Sequence, residues 1–216
     1  MRSEMFSGRY LFHLHTVNTD GKLLISDYFE WVAQKSIDRL IFLEHIRKQP
    51  NYDVDQFVAD IKNASERYGI PAIVGFEAKV LPGGELDIST DNFNKADVIG
   101  IAEHGFPDDR ELWINSLKNA FQKYNGLKFP NKNIVWVHPG LWLKKKRLIT
   151  KEAAIYEELL LEAIKNSIFV ERNYRYDLMP IDYIDLFDSE SVIYGADAHQ
   201  MKDLERWENN LKDEKS

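Results

Sequence analysis

Cysteine is absent from this chain of 216 residues. Disulfide bonds and thiolate metal sites are therefore excluded, so any metal site must be built from histidine, aspartate and glutamate. Those donors suit Zn, Mn or Fe. Long apolar runs are absent too, since none approaches the about 18 residues needed to cross a bilayer. The first residues also lack the apolar stretch of a signal peptide, so we expect a cytoplasmic protein with no membrane partner.

Basic residues are fewer than acidic ones. The 28 Lys and Arg residues against 35 Asp and Glu residues leave a net charge of −7, which argues against a protein that coats nucleic acid. The basic run at positions 144–147 (Lys-Lys-Lys-Arg) is the local exception. Composition therefore disfavours a nucleic-acid partner, and this run alone would support one.

Linkers, internal repeats and low-complexity segments are also missing, and we therefore expect a single domain over residues 1–216. Apolar runs alternate with amphipathic segments along the chain. The apolar runs predict seven strands, at residues 10–15, 40–43, 71–80, 97–102, 133–137, 167–171 and 191–196. The segments between them predict helices at residues 26–36, 54–68, 109–124, 150–166 and 179–187, followed by a polar helical tail.

The predicted strands are continuous apolar runs, not alternating ones. This pattern is typical of parallel strands that are covered on both faces. Seven strand–helix units in one domain of this length favour a parallel α/β barrel over an open sheet.

Every histidine in the sequence stands at the end of one of these apolar runs. His13 and His15 close the first predicted strand, and four later strand ends are followed by His45, His104, His138 and His199. Alternate residues of a strand point to the same face, and the carboxyl ends of barrel strands converge on one face, where active sites are built. We therefore expect the six histidines to meet at one end of the barrel.

Three carboxylates share this placement. Glu77 lies near the end of the third predicted strand, Asp197 precedes His199 by two residues, and Asp20 follows the first histidine pair. With the histidines they make nine potential ligands. Since a four-coordinate catalytic ion takes about three protein ligands, this set predicts two or three divalent metal ions (Zn, Mn or Fe).

The order of these motifs resembles the PHP (polymerase and histidinol phosphatase) family. The motifs are H-x-H-T…D-G at residues 13–21, E-H at 44–45, G-x-E ending at 77, V-H-P at 137–139 and D-A-H at 197–199. Glu44 stands where the family usually has aspartate. The resemblance implies a distorted (β/α)7, TIM-like barrel with a trinuclear metal centre at the C-terminal ends of the strands. It also implies a metal-dependent phosphoesterase, a histidinol-phosphatase-like hydrolase.

The resemblance also assigns the ligands to ions. Carried over residue by residue, it gives one ion to His13, His15, Glu77 and Asp197, a second to Glu77, His104 and His138, and a third to Asp20, His45 and His199.

We expect a metal-bound hydroxide to attack a phosphoester of a small phosphorylated metabolite or nucleotide, since bound metal lowers the pKa of water from about 15.7 to about 7. Arg172 and Arg175 follow the sixth predicted strand and Arg47 follows His45 by two residues, so each is a candidate to bind the phosphate. Metal-bound water or Glu103 would protonate the leaving group. The sequence does not choose between them, and a separate general acid stays unassigned.

Two other functions compete with this one. An amidohydrolase-type metal hydrolase also begins with H-x-H on a barrel, but it would normally carry a metal-bridging lysine after a strand, and only Lys79 comes near that description. A metal-stabilised interaction module without catalysis is the alternative from a different class. The complete set of nine ligands argues against it, because a decayed site would lose ligands. Nuclease activity would be a variant of the phosphoesterase.

Overall fold

The structure is a computed structural model that describes residues 4–184, 187 and 189–213. Its described residues form one nine-stranded sheet in which all eight pairings are parallel. The strands are β1 Tyr10–Leu14, β2 Arg39–Phe42, β3 Glu44–Ile46, β4 Ala72–Ile73, β5 Gly75–Lys79, β6 Val98–Ala102, β7 Asn133–Trp136, β8 Phe169–Asn173 and β9 Val192–Ala198.

Helices connect the strands. They are α1 Ile25–Val32, α2 Val54–Tyr68, α3 Thr90–Lys95, α4 Arg110–Lys123, α5 Leu141–Lys145, α6 Ala153–Lys165, α7 Ile181–Ile184 and α8 Met201–Asp213. The short helices α3 and α5 were not predicted. The predicted helix at 179–187 is observed only as α7, and its positions 185 and 186 lie outside the described residues. Within the described part of the chain, no helix combines the length and apolar character needed to cross a membrane.

The second predicted strand, 40–43, is observed as β2 and is followed after one residue by β3, and the third, 71–80, is interrupted by one residue. Leu43 separates β2 from β3, and Val74 separates β4 from β5. β2 pairs with β1 and β4, while β3 pairs with β5. When β2 with β3 and β4 with β5 are each counted once, seven strand positions follow one another around a ring that β9 closes beside β1. The predicted distorted (β/α)7, TIM-like barrel is confirmed.

The strands bury a separate apolar cluster on each face. The inner cluster contains alternate strand residues such as Phe12, Ile41 and Val135, together with Phe6 from the 3₁₀ turn Glu4–Phe6. Their strand neighbours belong to a larger cluster that includes helix residues, for example Leu11, Leu40, Trp136, Phe57 and Leu159. Both faces are therefore dry, which is why the strands read as continuous apolar runs.

Candidate metal centre

The structure brings all nine predicted ligands together at the carboxyl ends of the strands. They form four overlapping groups, and within each group the ligand atoms lie within 4.8 Å of one another. The groups are His15, Asp20, His45 and His199; His13, His15 and Asp197; His13, Glu77 and His138; and His45, Glu77 and His104. Because each strand delivers its ligand at the same edge of the barrel, residues far apart in sequence become one cluster.

Glu77 occupies the centre of this cluster. Its Oε1 lies 2.9 Å from Nε2 of His104 and 2.6 Å from Nε2 of His138. Its Oε2 lies 2.9 Å from Nδ1 of His45, with His15 at 3.4 Å and His13 at 3.6 Å. One buried carboxylate thus contacts five histidines, which suits a ligand shared between ions.

The grouping agrees with the implied ligand sets in part. His13, His15 and Asp197 lie together as the resemblance implies, and so do Asp20, His45 and His199, which His15 joins. His104 and His138 both contact Oε1 of Glu77 but fall into different groups. Glu77 was expected to join the set of His13, His15 and Asp197 to that of His104 and His138. In the side-chain positions observed it also belongs to two groups, but these are His13 with His138 and His45 with His104.

A break in strand alternation turns His13 toward the site. Leu11 and Leu14 both pack in the outer cluster although they are three residues apart, so regular alternation cannot hold between them. His13 has a left-handed φ of 72°, and the register of β1 shifts there against both neighbouring strands. Such a bulge re-aims a side chain, and it allows His13 and His15 to face the cluster while Leu14 faces the helices.

His138 and Asp197 have positive φ as well, at 32° and 47°. Val137 packs in the inner cluster, so simple alternation would send His138 outward, and its backbone conformation turns it inward instead. Left-handed backbone at a residue other than glycine costs about 1–3 kcal/mol. Three ligands in this conformation show that the surrounding structure stabilises the site geometry against local preference.

Glu171 supports the ligand cluster through hydrogen bonds, and it was not among the predicted site residues. Its fully buried carboxylate accepts hydrogen bonds from Nδ1 of His13 at 2.6 Å and from the backbone N–H of His138 at 2.5 Å. It also accepts one at 3.0 Å from Asn173, whose amide reaches Asp197 at 3.1 Å. Glu171 therefore connects to all three ligands with positive φ. Its position directly after the apolar residues 168–170, at the end of a predicted strand like the histidines, is the signal that would have found it.

Glu44 fixes the loop that carries Asp20. It accepts the backbone N–H of Thr16 at 2.8 Å, the hydroxyl of Thr16 at 2.5 Å and the hydroxyl of Thr19. Its Oε1 also lies 3.5 Å from Nδ1 of His15. Glu44 thus lies behind the ligands and holds the Asp20 loop in place.

Several ligand atoms are buried without a hydrogen-bond partner. They include Nε2 of His13, both ring nitrogens of His15 and Nδ1 of His138. Leaving a buried polar atom unsatisfied costs about 1–3 kcal/mol, so these four atoms in one cluster indicate a missing partner. Metal coordination would satisfy one nitrogen of each ring.

The electrostatics of the cluster also fit cations. Burial disfavours the ionised form of Glu77, yet His45, His104 and His138 hold the pKa of this carboxyl well below its ordinary value. Burial also opposes a charged His45, but Glu77 and Asp20 raise the pKa of this imidazole to about 10. The carboxylates thus draw positive charge into the site. Divalent ions would supply the same charge, so the donor set fits the metals that the motifs imply.

Binding of Zn²⁺ at pH 7 should therefore release protons. With a pKa of about 10, His45 is protonated at pH 7, whereas an imidazole must be neutral to bind metal. Zinc affinity should weaken as the pH falls, because protons then compete more strongly. Isothermal titration calorimetry in two buffers of different ionisation enthalpy measures the release, for which we expect at least about one proton per chain. A binding enthalpy that is the same in both buffers would contradict this.

A cavity of about 560 Å³ opens onto the cluster, and two of the predicted phosphate-binding residues line it. Arg175 donates to the backbone carbonyl of Asp197 at 3.2 Å and contacts the ring of His199. Arg47 is 59% exposed and lies 3.5 Å from Asp87. Both guanidinium groups are therefore within the mouth of the candidate site.

Arg172 lies elsewhere. Its buried guanidinium donates to Asp177 at 2.7 Å and to the carbonyl of Leu178 at 3.3 Å, and it lies over the ring of Tyr174. It is not among the described residues that line the cavity. The structure thus separates Arg172 from Arg175, and its position does not support the predicted contact with phosphate.

The carboxylate of Glu103 also forms hydrogen bonds within the protein. Burial raises the pKa of its carboxyl to about 7, a value that would suit proton transfer at neutral pH. Its oxygens, however, accept hydrogen bonds from Nε1 of Trp113 at 2.6 Å and from the backbone N–H of Trp142 at 3.3 Å. The described lining of the cavity includes its neighbour His104 but not Glu103, so its position does not support a role as general acid.

The basic run at 144–147 is partly engaged within the protein. Lys144 donates to the backbone carbonyls of Tyr176 and Asp177, and Lys146 lies 2.6 Å from Asp108. Lys145 lines the cavity. Two of the four cations therefore bind protein groups, which weakens the run as a surface for nucleic acid.

Comparison with known proteins identifies solved structures with a similar fold. No family model matches the sequence, and no curated protein does. Solved structures do match. A candidate histidinol phosphatase from Listeria monocytogenes has a TM-score of 0.60 at 11% identity, covering 91% of this chain and 97% of that one. An amidohydrolase II has a TM-score of 0.56 at 11% identity, covering 94% and 91%.

A third solved structure, a two-domain protein from Bacteroides vulgatus, contains a predicted PHP-like metal-dependent phosphoesterase. Its TM-score is 0.51 at 18% identity, and the match covers 89% of this chain but 52% of that protein. These neighbours are of the phosphatase and amidohydrolase type with TIM-barrel-like folds. At such low identity they establish the fold of this chain and leave its activity to be argued from the site.

Proposed function

We propose that this chain is a metal-dependent phosphoesterase, a histidinol-phosphatase-like hydrolase whose single domain spans residues 1–216. Its substrate would be a small phosphorylated metabolite or nucleotide. The observation that carries the proposal is the set of four overlapping groups of histidine and carboxylate ligands beneath one cavity with a basic rim. Overlapping groups suit two or three ions better than one.

The ligand groups name the residues that would hold the ions. Glu77 would be shared, with the surrounding histidines and with Asp20 and Asp197 completing the sets. When bound, divalent ions activate water as a nucleophile at neutral pH and place positive charge beside phosphoryl oxygens. Glu171 would keep the N–H of His13 on Nδ1, because a carboxylate only accepts hydrogen bonds, and Nε2 would then face Glu77 as a free ligand.

Arg175 is the protein cation best placed to bind the phosphate that is hydrolysed. It lies beside Asp197 and His199, two of the proposed ligands. A guanidinium there can donate two parallel hydrogen bonds to phosphate oxygens and neutralise the charge that grows in the transition state. Arg47, which is more exposed, would meet parts of the substrate nearer the cavity mouth.

Amide or ester hydrolysis is the second candidate, because the amidohydrolase II structure shares the fold at a TM-score of 0.56. The arrangement of the site favours it less. Glu77 already occupies the central position, contacting five histidines, and Lys79 lies beyond it toward Gly105. Because Glu77 is placed to bridge the metal ions, Lys79 is not needed as a bridging ligand.

Metal analysis combined with a substrate panel tests the proposal. The panel contains sugar phosphates, nucleotides, histidinol phosphate, amides and lactones, each with Zn²⁺, Mn²⁺ or Fe²⁺. We expect at least two ions per chain and hydrolysis confined to phosphoesters. Turnover of amides or lactones alone would favour the amidohydrolase candidate. Fewer than two ions per chain, without any hydrolysis of phosphoesters, would favour a non-catalytic module.

Substitution of single ligands gives a further prediction. His138→Ala and His199→Ala should each lose bound metal and phosphoesterase turnover together, because each residue belongs to a different ligand group. Lys62→Ala on the exposed face of α2 is the matched control. Elemental analysis of metal per chain is measured beside turnover. Full metal content and full activity in both histidine variants would refute the ligand assignment.

A further inference from the structure

The lining of the cavity carries more positive charge than the proposed metal site uses. Its described lining includes three carboxylates, Asp20, Glu77 and Asp197, and all three are proposed metal ligands. It also includes four cations, Arg47, Lys79, Lys145 and Arg175. Once the carboxylates serve the ions, they no longer balance the cations. The cavity is therefore built for a ligand with considerable negative charge.

Lys79 is the most informative of these cations. It follows Glu77 by two residues on β5, so the strand places both side chains on the same face. The half-buried ammonium makes no hydrogen bond or ion pair with any described residue of the chain. A Cβ built on Gly105 would lie 3.4 Å from its Nζ, an ordinary contact distance, so the ammonium lies beside another residue of the cavity lining.

Two further cations, Arg47 and Lys145, line the cavity with Lys79. Arg47 is held only loosely, at 3.5 Å from Asp87, and Lys145 is exposed on α5. Groups of like charge that line one cavity are stabilised when a ligand of the opposite charge binds among them.

Arg47 and Lys79 come from a different part of the barrel than Arg175. Arg47 and Lys79 are contributed by the neighbouring strands β3 and β5 or the loops beyond them, whereas Arg175 follows β8 and contacts Asp197 and His199. The cavity thus has one basic region beside the proposed phosphate position and a second around Lys79.

We propose that Lys79, with Arg47 and Lys145, binds a second anionic group of the substrate, a phosphate or a carboxylate. The inference rests on the proposed phosphoesterase function and narrows its substrate class to phosphoesters that carry another anion. One group would be hydrolysed at the metal centre, and the other would stay bound to the lysines through charge-assisted hydrogen bonds.

Three probes that share one scissile ester test this: propyl phosphate, 3-phosphooxypropanoate and propane-1,3-diyl bisphosphate. The wild-type protein should hydrolyse one or both of the doubly anionic probes with a kcat/KM at least about 10-fold higher than propyl phosphate. Lys79→Met should remove this preference, mainly through KM, and leave propyl phosphate within about twofold. Lys79→Arg should retain most of the preference, and Lys62→Met is the surface control.

Binding without turnover separates this inference from the proposed function. Propane-1,3-bisphosphonate and propylphosphonate are titrated calorimetrically into the metal-loaded protein. Lys79→Met should weaken only the bisphosphonate, by about 10-fold or more. If no probe is hydrolysed but this difference remains, the phosphoesterase proposal fails and the anion site stands. If Lys79→Met weakened the binding of both phosphonates equally, or of neither, the anion site would be refuted whether or not any probe is hydrolysed.

Discussion

Replacing Glu77 with glutamine should abolish phosphoester hydrolysis and empty the metal centre. The carboxylate contacts five histidines, four of them at 2.6–3.4 Å, and it belongs to two of the four ligand groups. An amide is a poor metal ligand and removes one negative charge from a buried site. We expect metal affinity to fall by more than the about 10–100-fold that loss of a residue behind a ligand costs.

Elemental analysis, chelator competition and turnover measure this effect. Glu85→Gln is the matched control, because Glu85 is exposed and pairs with Lys123 outside the cavity. Circular dichroism shows whether the variant is folded. If Glu77→Gln bound the same number of ions as the wild type, with similar affinity, Glu77 would not be the shared ligand.

Replacing Gly195 with alanine should damage the site as severely as removing Glu171. A Cβ on Gly195 would lie 1.6 Å from Oε1 of Glu171, and the three heavy atoms nearest to it all belong to this side chain, so the added methyl group must displace the carboxylate. The hydrogen bonds to His13 and to the N–H of His138 would then be lost. We expect each single variant to weaken metal binding by about 10–100-fold.

A double-mutant cycle tests whether Gly195→Ala acts through Glu171. Glu171→Ala removes the three atoms that the methyl group of Gly195→Ala would meet first, so in this background the second substitution should add little further loss. Glu171→Gln should be intermediate, because its amide oxygen can still accept from His13. The NMR signal of the Nδ1–H of His13 reports the hydrogen bond to Glu171 directly. A general loss of stability would not change this signal selectively. Equal losses from Gly195→Ala in both backgrounds would contradict the positioning role.

The site could be predicted from the sequence because most of its ligands lie at the ends of strands. His45, His104 and His138 each follow a separate apolar run, and the carboxyl ends of parallel strands must meet. No exact register is needed for that conclusion. The ring of seven strand positions followed from the same runs, even though the second continues beyond Leu43 as β3 and the third is interrupted at Val74.

What the sequence could not predict depends on which way individual side chains point. In β8, Glu171 and Asn173 reach the site while Arg172 between them faces the other way, as the twofold period of a strand requires. The sequence does not reveal which alternate set faces inward. The bulge at His13 is equally hidden, because it arises from pairing with β2 and β9, both distant in the chain.

The most direct test is metal add-back to chelator-treated protein, with phosphoester hydrolysis measured against the number of ions bound per chain. We predict that hydrolysis is absent without metal, rises as Zn²⁺, Mn²⁺ or Fe²⁺ is restored, and reaches its maximum at two or three ions per chain. Hydrolysis that is independent of bound metal would contradict a metal-dependent phosphoesterase, and so would a fully loaded protein that hydrolyses no phosphoester.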